Sequence, residues 1–484
     1  MPQVLQREIR DASFGETDSA LLLPETGARL FINQLFGPDS GGARRSLRTL
    51  LKYYRHDFYR YESCRWRRLD DLQLHAEVVR FLQDGQFGIE ITESFVRSTI
   101  TNLHGLAYVE CWDREMPLWI ETEKPLTLGS WKLMSMRNGI LCLDDFIRAN
   151  GSLQLHPHTP QWFSTVLLPF DFQADMACPL WIETLNQILS PSQLYDQRIA
   201  LLQEFIGLTL LPLETRYEKF LVLIGKGGNG KSTVLRIWCD LLGTENVSHL
   251  SLEDIAGEFR LCDMVGKLAN IAYDMRRMDR LEEGKLKQIV SGEPIQINRK
   301  NKPLITSSLT ARLIFATNDL PQISDRTDGV WRRMITMPFT VRVDQAGVDR
   351  QRHDRLRAEL PGVMNWALLG LRRLLTNGQF TTCPVCEQYA HDHRMHSDPI
   401  AQFVDEYVEL VADRAVLCEV AYDAYAKFCF GNGRRPCGST EFGRHLMALA
   451  GVQKVRQGGG RRQYEYKGIE LTEEPASGTA PPSP

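Results

Sequence analysis

No stretch of this chain approaches the ~20 uninterrupted apolar residues that a membrane-spanning helix needs. The Met1-Pro2-Gln3 start has no apolar segment behind a basic one. Membrane insertion and a signal peptide are therefore not expected. An excess of one charge is also missing: 57 Lys and Arg stand against 60 Asp and Glu, a net of −3. Any polyanion must then be held by a local patch, because the surface as a whole does not attract it. The 11 cysteines are scattered and odd in number, which argues against a disulfide framework and for reduced thiols in a cytoplasmic protein. Internal repeats are absent. At 484 residues, with ~150 per domain as a guide, about three domains are expected.

What is present is concentrated in one run, Gly225-Lys226-Gly227-Gly228-Asn229-Gly230-Lys231-Ser232-Thr233. It fits G-x-x-x-x-G-K-[ST], with an apolar strand before it (Leu221–Ile224) and a helical pattern after it (Val234–Leu242). Strand, glycine loop and helix together make a phosphate cradle, because loop N–H groups and the helix N-terminus both favour an anion. Lys231 is placed to reach the β- and γ-phosphates of ATP, and the Ser232 hydroxyl to meet Mg²⁺. The same run contains G-x-G-x-x-G, but a dinucleotide site leaves Lys231 and Ser232 without a purpose, and no acid closes a following strand at the ribose distance.

Four later segments narrow the reading. Lys267–Asp274 is a strand that ends in an acid, where a carboxylate can serve Mg²⁺ or the attacking water. Ala311–Asn318 is a second buried strand, and Asn318 at its tip can orient that water. Paired Arg332 and Arg333 follow and can stabilise charge on the γ-phosphate of a neighbouring subunit. Ile295–Ile305 alternates, turns and resumes, a β-hairpin whose tip carries Arg299, Lys300 and Lys302. Projecting into a pore, such a tip would track nucleic-acid phosphates; the alternative is an exposed basic turn.

Elsewhere the signals are weaker. The Tyr53–Arg68 region interleaves basic and aromatic residues as a small hairpin, either a stacking surface for single-stranded nucleic acid or a half-buried hairpin with a charged face. Trp181–Leu189 and Gln197–Leu211 have helical periodicity, and His156 and His158 belong to a structural loop. Cys383 and Cys386 with His391, His393 and His396 raise the question of zinc, against a plain linker. Two helices at 420–430 and 439–450 precede a basic hairpin at 452–467. Arg444, Arg456, Arg461 and Arg462 there give a DNA-binding layout, with a protein-interaction module as the alternative.

In this order the motifs resemble the phage and plasmid primase–helicase proteins, whose motor belongs to helicase superfamily 3 and is related to poxvirus NTPases. GKGGNGKST is similar to that family's Walker A, GKLANIAYDM and LKQIVSGEPI to its Walker B region, and ARLIFATNDLP with DGVWRRMITMPF to its sensor-1 and arginine-finger stretch. The likeness runs from about 135 to 400, with a fainter one to a winged helix beyond. It implies an α/β fold: a P-loop, AAA+-like superfamily 3 core with an N-terminal α+β accessory region and a C-terminal winged-helix domain. The implied division is 1–119 N-terminal region, 120–215 accessory domain, 216–377 ATPase core, 378–399 linker, 400–470 winged helix and 471–484 disordered tail. It also implies an ATP- and Mg²⁺-dependent DNA helicase, a homo-oligomer assembled as a hexameric ring, acting on single-stranded and duplex DNA beside a separate primase or polymerase. A non-motor, ATP-dependent DNA-binding initiator or defence factor is the alternative. Two departures stand out. Asp274 stands where the family usually carries Glu and Met275 follows in place of a second acid, so Glu282 or Glu283 could contribute, and there is no primase half, neither a zinc-ribbon cysteine set nor an acidic triad.

Overall fold

The computed structural model describes residues 22–36, 50–85, 87, 89–110, 113–120, 132–147, 153–189, 195–273, 282–318, 328–342, 351–456 and 463–472. At its centre lies a five-stranded, all-parallel sheet. Its strands are β1 (Phe220–Ile224), β2 (Val247–Ser248), β3 (Ala269–Ala272), β4 (Arg312–Thr317) and β5 (Met334–Pro338), in spatial order β2-β3-β4-β1-β5. Every residue of β1 and β4 is buried, as expected of parallel strands covered on both faces. Because side chains alternate along a strand, the two strands feed two cores. Leu221, Leu223, Ile314 and Ala316 pack with Trp238, Phe205 and Leu371 on one face. Phe220, Val222, Leu313 and Phe315 pack with Leu250, Ile289 and Ile297 on the other.

Helix α1 (Lys231–Leu242) follows β1 directly and covers the first face with helices Tyr195–Thr209 and Leu360–Asn377. The last two cross closely: a Cβ on Gly207 would stand 2.4 Å from the Ala367 carbonyl oxygen, so only glycine permits this approach. Against the second face lies the antiparallel hairpin Pro294–Arg299/Lys302–Ser308.

The N-terminal region packs helices Pro24–Phe36, Asp71–Asp84 and Glu93–Leu106 on a three-stranded antiparallel sheet, Leu51–Tyr54, Asp57–Glu62 and Arg65–Leu69. Tyr54, Phe58, Tyr59 and Trp66 are all buried. The half-buried reading of this aromatic stretch therefore holds, and these rings offer no stacking platform.

The segment 378–399, expected as a linker, has regular structure. It contains helix α2 (Pro384–Ser397), which starts with proline in its first turn and runs against β5. A polar, histidine-rich sequence hid it, since among its described residues only Cys386 is fully buried. Beyond it, helix Pro399–Tyr407, strand Val408–Leu417, helices Cys418–Gly431 and Ser439–Ala450, and strand Tyr464–Leu471 share a core, and strand Gln453–Arg456 pairs with the last. Tyr425 and Phe442 stack at its centre, 4.6 Å apart. Strand Val408–Leu417 was not foreseen, because Glu409, Asp413 and Arg414 interrupt its apolar residues and most of the strand is exposed. No helix among the described residues is long and apolar enough to cross a membrane.

Candidate nucleotide site and basic surfaces

The glycine run leaves the C-terminal end of β1 and enters α1, so the sequence motif and its structural context coincide. Gly228 and Gly230 have φ of 77° and 86°, left-handed values that glycine adopts without strain. Gly230 also lies against helix Pro179–Leu189: a Cβ there would meet Ile188 at 2.5 Å. Among the described residues, no hydrogen bond uses the N–H of Gly228, Asn229, Gly230 or Ser232. Orphan donors at the start of a 12-residue helix form a ready anion cradle.

Lys231 is 8% exposed and folds back over the loop. Its ammonium donates to the Gly225 carbonyl and, at 3.1 Å, to Asn229 Oδ1. Asn229 Nδ2 in turn donates to the Phe339 carbonyl at 2.8 Å. Asn229 is thus a buried strut between Lys231 and the end of β5, although in the motif it fills a variable position. Gly225 is needed beside it, because a Cβ would approach Asn229 Nδ2 to 2.1 Å. Lys226, Gly227, Gly228 and Ser232 are exposed, and Thr233 is half-buried. A triphosphate fits this set: free N–H donors, a positioned ammonium, and an exposed hydroxyl at Ser232 for Mg²⁺.

Strand β4 is the immediate neighbour of β1, and Thr317 pairs with Ile224. The Gly225 N–H donates to the Thr317 carbonyl at 3.2 Å, so exposed Asn318 stands at the lip of the phosphate loop. Strand β3 lies one position further out. Asp274, expected just past its end, falls outside the described residues, and so do Arg461 and Arg462 in the C-terminal hairpin and the tail from 473.

Arg332 and Arg333 lie at the opposite edge of the sheet. The Phe220 N–H, at the start of β1, donates to the Arg333 carbonyl at 2.9 Å. A five-residue strand separates that edge from the loop, roughly 16 Å at ~3.3 Å per residue. Neither arginine therefore serves its own chain's loop. Arg333 is held in place by Glu218 at 2.7 Å, Ser291 at 3.0 Å and the Gly329 carbonyl at 3.0 Å. Arg332 is exposed.

The basic hairpin departs most from expectation. Arg299 is 8% exposed, and its guanidinium donates to Asp57 Oδ2 at 2.7 Å. Lys302 donates to Asp57 Oδ1 at 2.7 Å and to Asp71. The base of the hairpin is docked too, with Ser307 Oγ and the Ser308 N–H donating to Glu115 at 2.9 and 3.0 Å. Arg299 and Lys302 are thus neutralised by acids of the N-terminal region, and of the three only Lys300 is exposed. The free basic tip read from sequence is corrected to a clamped one. In the C-terminal unit, Arg444 and Arg456 are exposed.

A family described as a family of unknown function (DUF5906) matches residues 223–333, from within β1 to Arg333. Apo structures of the C-terminal region of NrS-1 are similar to this chain at 11%, 10% and 13% identity. They cover 86%, 92% and 87% of it, and 95%, 99% and 96% of their own length, with TM-scores of 0.47, 0.47 and 0.48. At that identity and score the likeness adds nothing to what the residues themselves support.

Proposed function

We propose that this chain is an ATP-hydrolysing DNA motor of the superfamily 3 helicase type, working as a ring in the replication of a phage, plasmid or mobile element. The loop between β1 and α1 carries the reading. Its orphan N–H groups and Lys231 suit the β- and γ-phosphates, and Ser232 with Asp274 suits Mg²⁺, which would neutralise phosphate charge. Asn318, at the tip of the neighbouring strand, is positioned to orient a water toward the γ-phosphate. The distance of Arg332 from its own loop supports action across a subunit interface, as a homo-oligomeric ring requires. The exposed Arg444 and Arg456 support DNA contact by the C-terminal unit.

One observation favours the non-motor reading: with Arg299 and Lys302 held by Asp57, ATP could drive assembly on DNA without a translocating grip. The experiment is ATP turnover and strand displacement by the purified protein, with Lys231→Ala alongside. Turnover with strand displacement supports the motor, and turnover alone supports the switch. Turnover unaffected by Lys231→Ala would remove the phosphate-loop assignment itself.

A further inference from the structure

Helix α2 begins with Cys383-Pro384-Val385-Cys386. Cys383 is the N-cap residue, with extended backbone (φ −125°, ψ 93°), and Cys386 lies three residues on, over the same helix face. The two sulfurs are in hydrogen-bond contact at 2.9 Å, and the residues are 2% and 4% exposed. A disulfide bond is ~2.05 Å long, so the sulfurs need to approach by roughly 1 Å.

Their environments differ. The Cys383 sulfur accepts from the Cys386 thiol when ionised, and it sits at the N-terminus of a 14-residue helix, where negative charge is favoured. The Cys386 contact brings the Cys383 thiol down to about 7. The same contact, with burial, pushes the Cys386 thiol up. One sulfur is thus a ready nucleophile and the other a held reserve. Zinc fits poorly: structural sites take four ligands, and no group of three metal-binding side chains exists among the described residues. The His393 ring is instead set against Trp331.

We propose that Cys383 and Cys386 form a redox-active dithiol that a small peroxide closes to a disulfide within α2. The Cys383 thiolate attacks one peroxide oxygen, the O–O bond breaks, and the departing hydroxide takes a proton to become water. Cys383 is left as a sulfenic acid. The Cys386 sulfur then attacks the Cys383 sulfur and the S–O bond breaks, the oxygen leaving with the thiol proton as a second water. Two electrons pass from sulfur to oxygen, and a dithiol reductant reverses the step. The burial of both sulfurs favours a small oxidant over a bulky disulfide partner.

The couple is placed to be felt at the sheet. Buried Thr336 of β5 donates from Oγ1 to the Cys386 carbonyl at 3.0 Å, and three residues on, the Phe339 carbonyl receives Asn229 of the phosphate loop. This inference goes beyond the nucleotide reading and is tested without ATP. The full chain is treated with hydrogen peroxide, alkylated and digested with trypsin. The peptide spanning 374–394 contains both cysteines and no other. Most of it should resist alkylation with the loss of two hydrogens, and dithiothreitol should restore both thiols. Cys386→Ser should trap a Cys383 sulfenic acid that dimedone labels, whereas Cys383→Ser should leave Cys386 alkylatable. Hydrogen exchange in 334–339 should change on oxidation of the parent and in neither variant. Two alkylated thiols after a treatment that oxidises the more accessible Cys64 and Cys262, or stoichiometric zinc on the isolated protein, would overturn the couple. Unchanged exchange in 334–339 would overturn its link to β5.

Discussion

Replacing Asp57 with Ala should release the basic hairpin, and the size of the effect follows from what Asp57 holds. Its side chain is 5% exposed and takes Arg299 and Lys302, each at 2.7 Å, on separate oxygens. Truncating one partner of a buried pair costs ~3–5 kcal/mol, because the other charge stays buried without compensation. The lower end applies. Arg299 keeps the Arg55 and Pro303 carbonyls at 3.3 and 3.2 Å, and Lys302 keeps Asp71. A loss of about 3 kcal/mol corresponds to an increase of about a hundredfold in the opening equilibrium. The assay is native-state hydrogen exchange on peptides from 294–308, which reads local opening without assuming that the whole chain unfolds in one step. Adding Arg299→Met to Asp57→Ala should recover much of the protection, since it removes the stranded charge. Acceleration below about fivefold, near the ~1 kcal/mol of a surface pair, would refute the clamp.

Further outcomes are expected at the site. Lys231→Ala should lower ATP turnover by at least ~10²-fold, the usual cost of losing one preorganised electrostatic contact, with the far-ultraviolet circular dichroism unchanged. Arg332→Ala should likewise abolish turnover, and mixing it with Lys231→Ala protein should restore part of it; no recovery in proven mixed oligomers would refute action in trans. Arg333→Ala should instead cost ~1–3 kcal/mol of stability by stranding Glu218 and opening buried hydrogen bonds, measured by denaturant titration. Arg444→Ala and Arg456→Ala should each lower the salt dependence of duplex DNA binding by about one counterion and weaken all sequences alike, checked by fluorescence anisotropy across a salt series.

The parts of the site legible in sequence are those written by consecutive residues. β1, its glycine loop and α1 form one unbroken segment, and the conformation of each residue is set by its neighbours. Asn318 was legible as a strand tip because β4 carries the apolar run Leu313–Ala316 just before it. Asn229 was not, because its partner, the Phe339 carbonyl, lies 110 residues away and the motif leaves that position free. Helix α2 was missed for another reason: periodicity reports a buried stripe, and a histidine-rich helix with a single fully buried residue among those described has little stripe to report. The same segment's C-x-x-C spacing was visible, but only the fold shows that no third ligand joins it among the described residues.

The hairpin illustrates the limit most sharply. Alternation gave its strands and its turn correctly, and composition gave its charge. The countercharge, Asp57, is 242 residues from Arg299, and a sequence read locally has no term for it. The bare basic turn and the clamped one are therefore the same string of letters with opposite capacities for binding phosphate. If the hairpin grips DNA, the clamp must open, and opening competes with the Asp57 pairs to Arg299 and Lys302. Coupling between sites in one protein is typically ~1–3 kcal/mol. If the proposed nucleotide binding is coupled to the hairpin by that amount, it would bias the hairpin toward release, and phosphate contacts from the strand would add to the opening. On that argument Asp57→Ala should raise single-strand affinity most where nucleotide is absent, and the advantage over the parent should shrink as nucleotide is added. An equal advantage at every nucleotide concentration would show that the clamp and the phosphate loop are uncoupled.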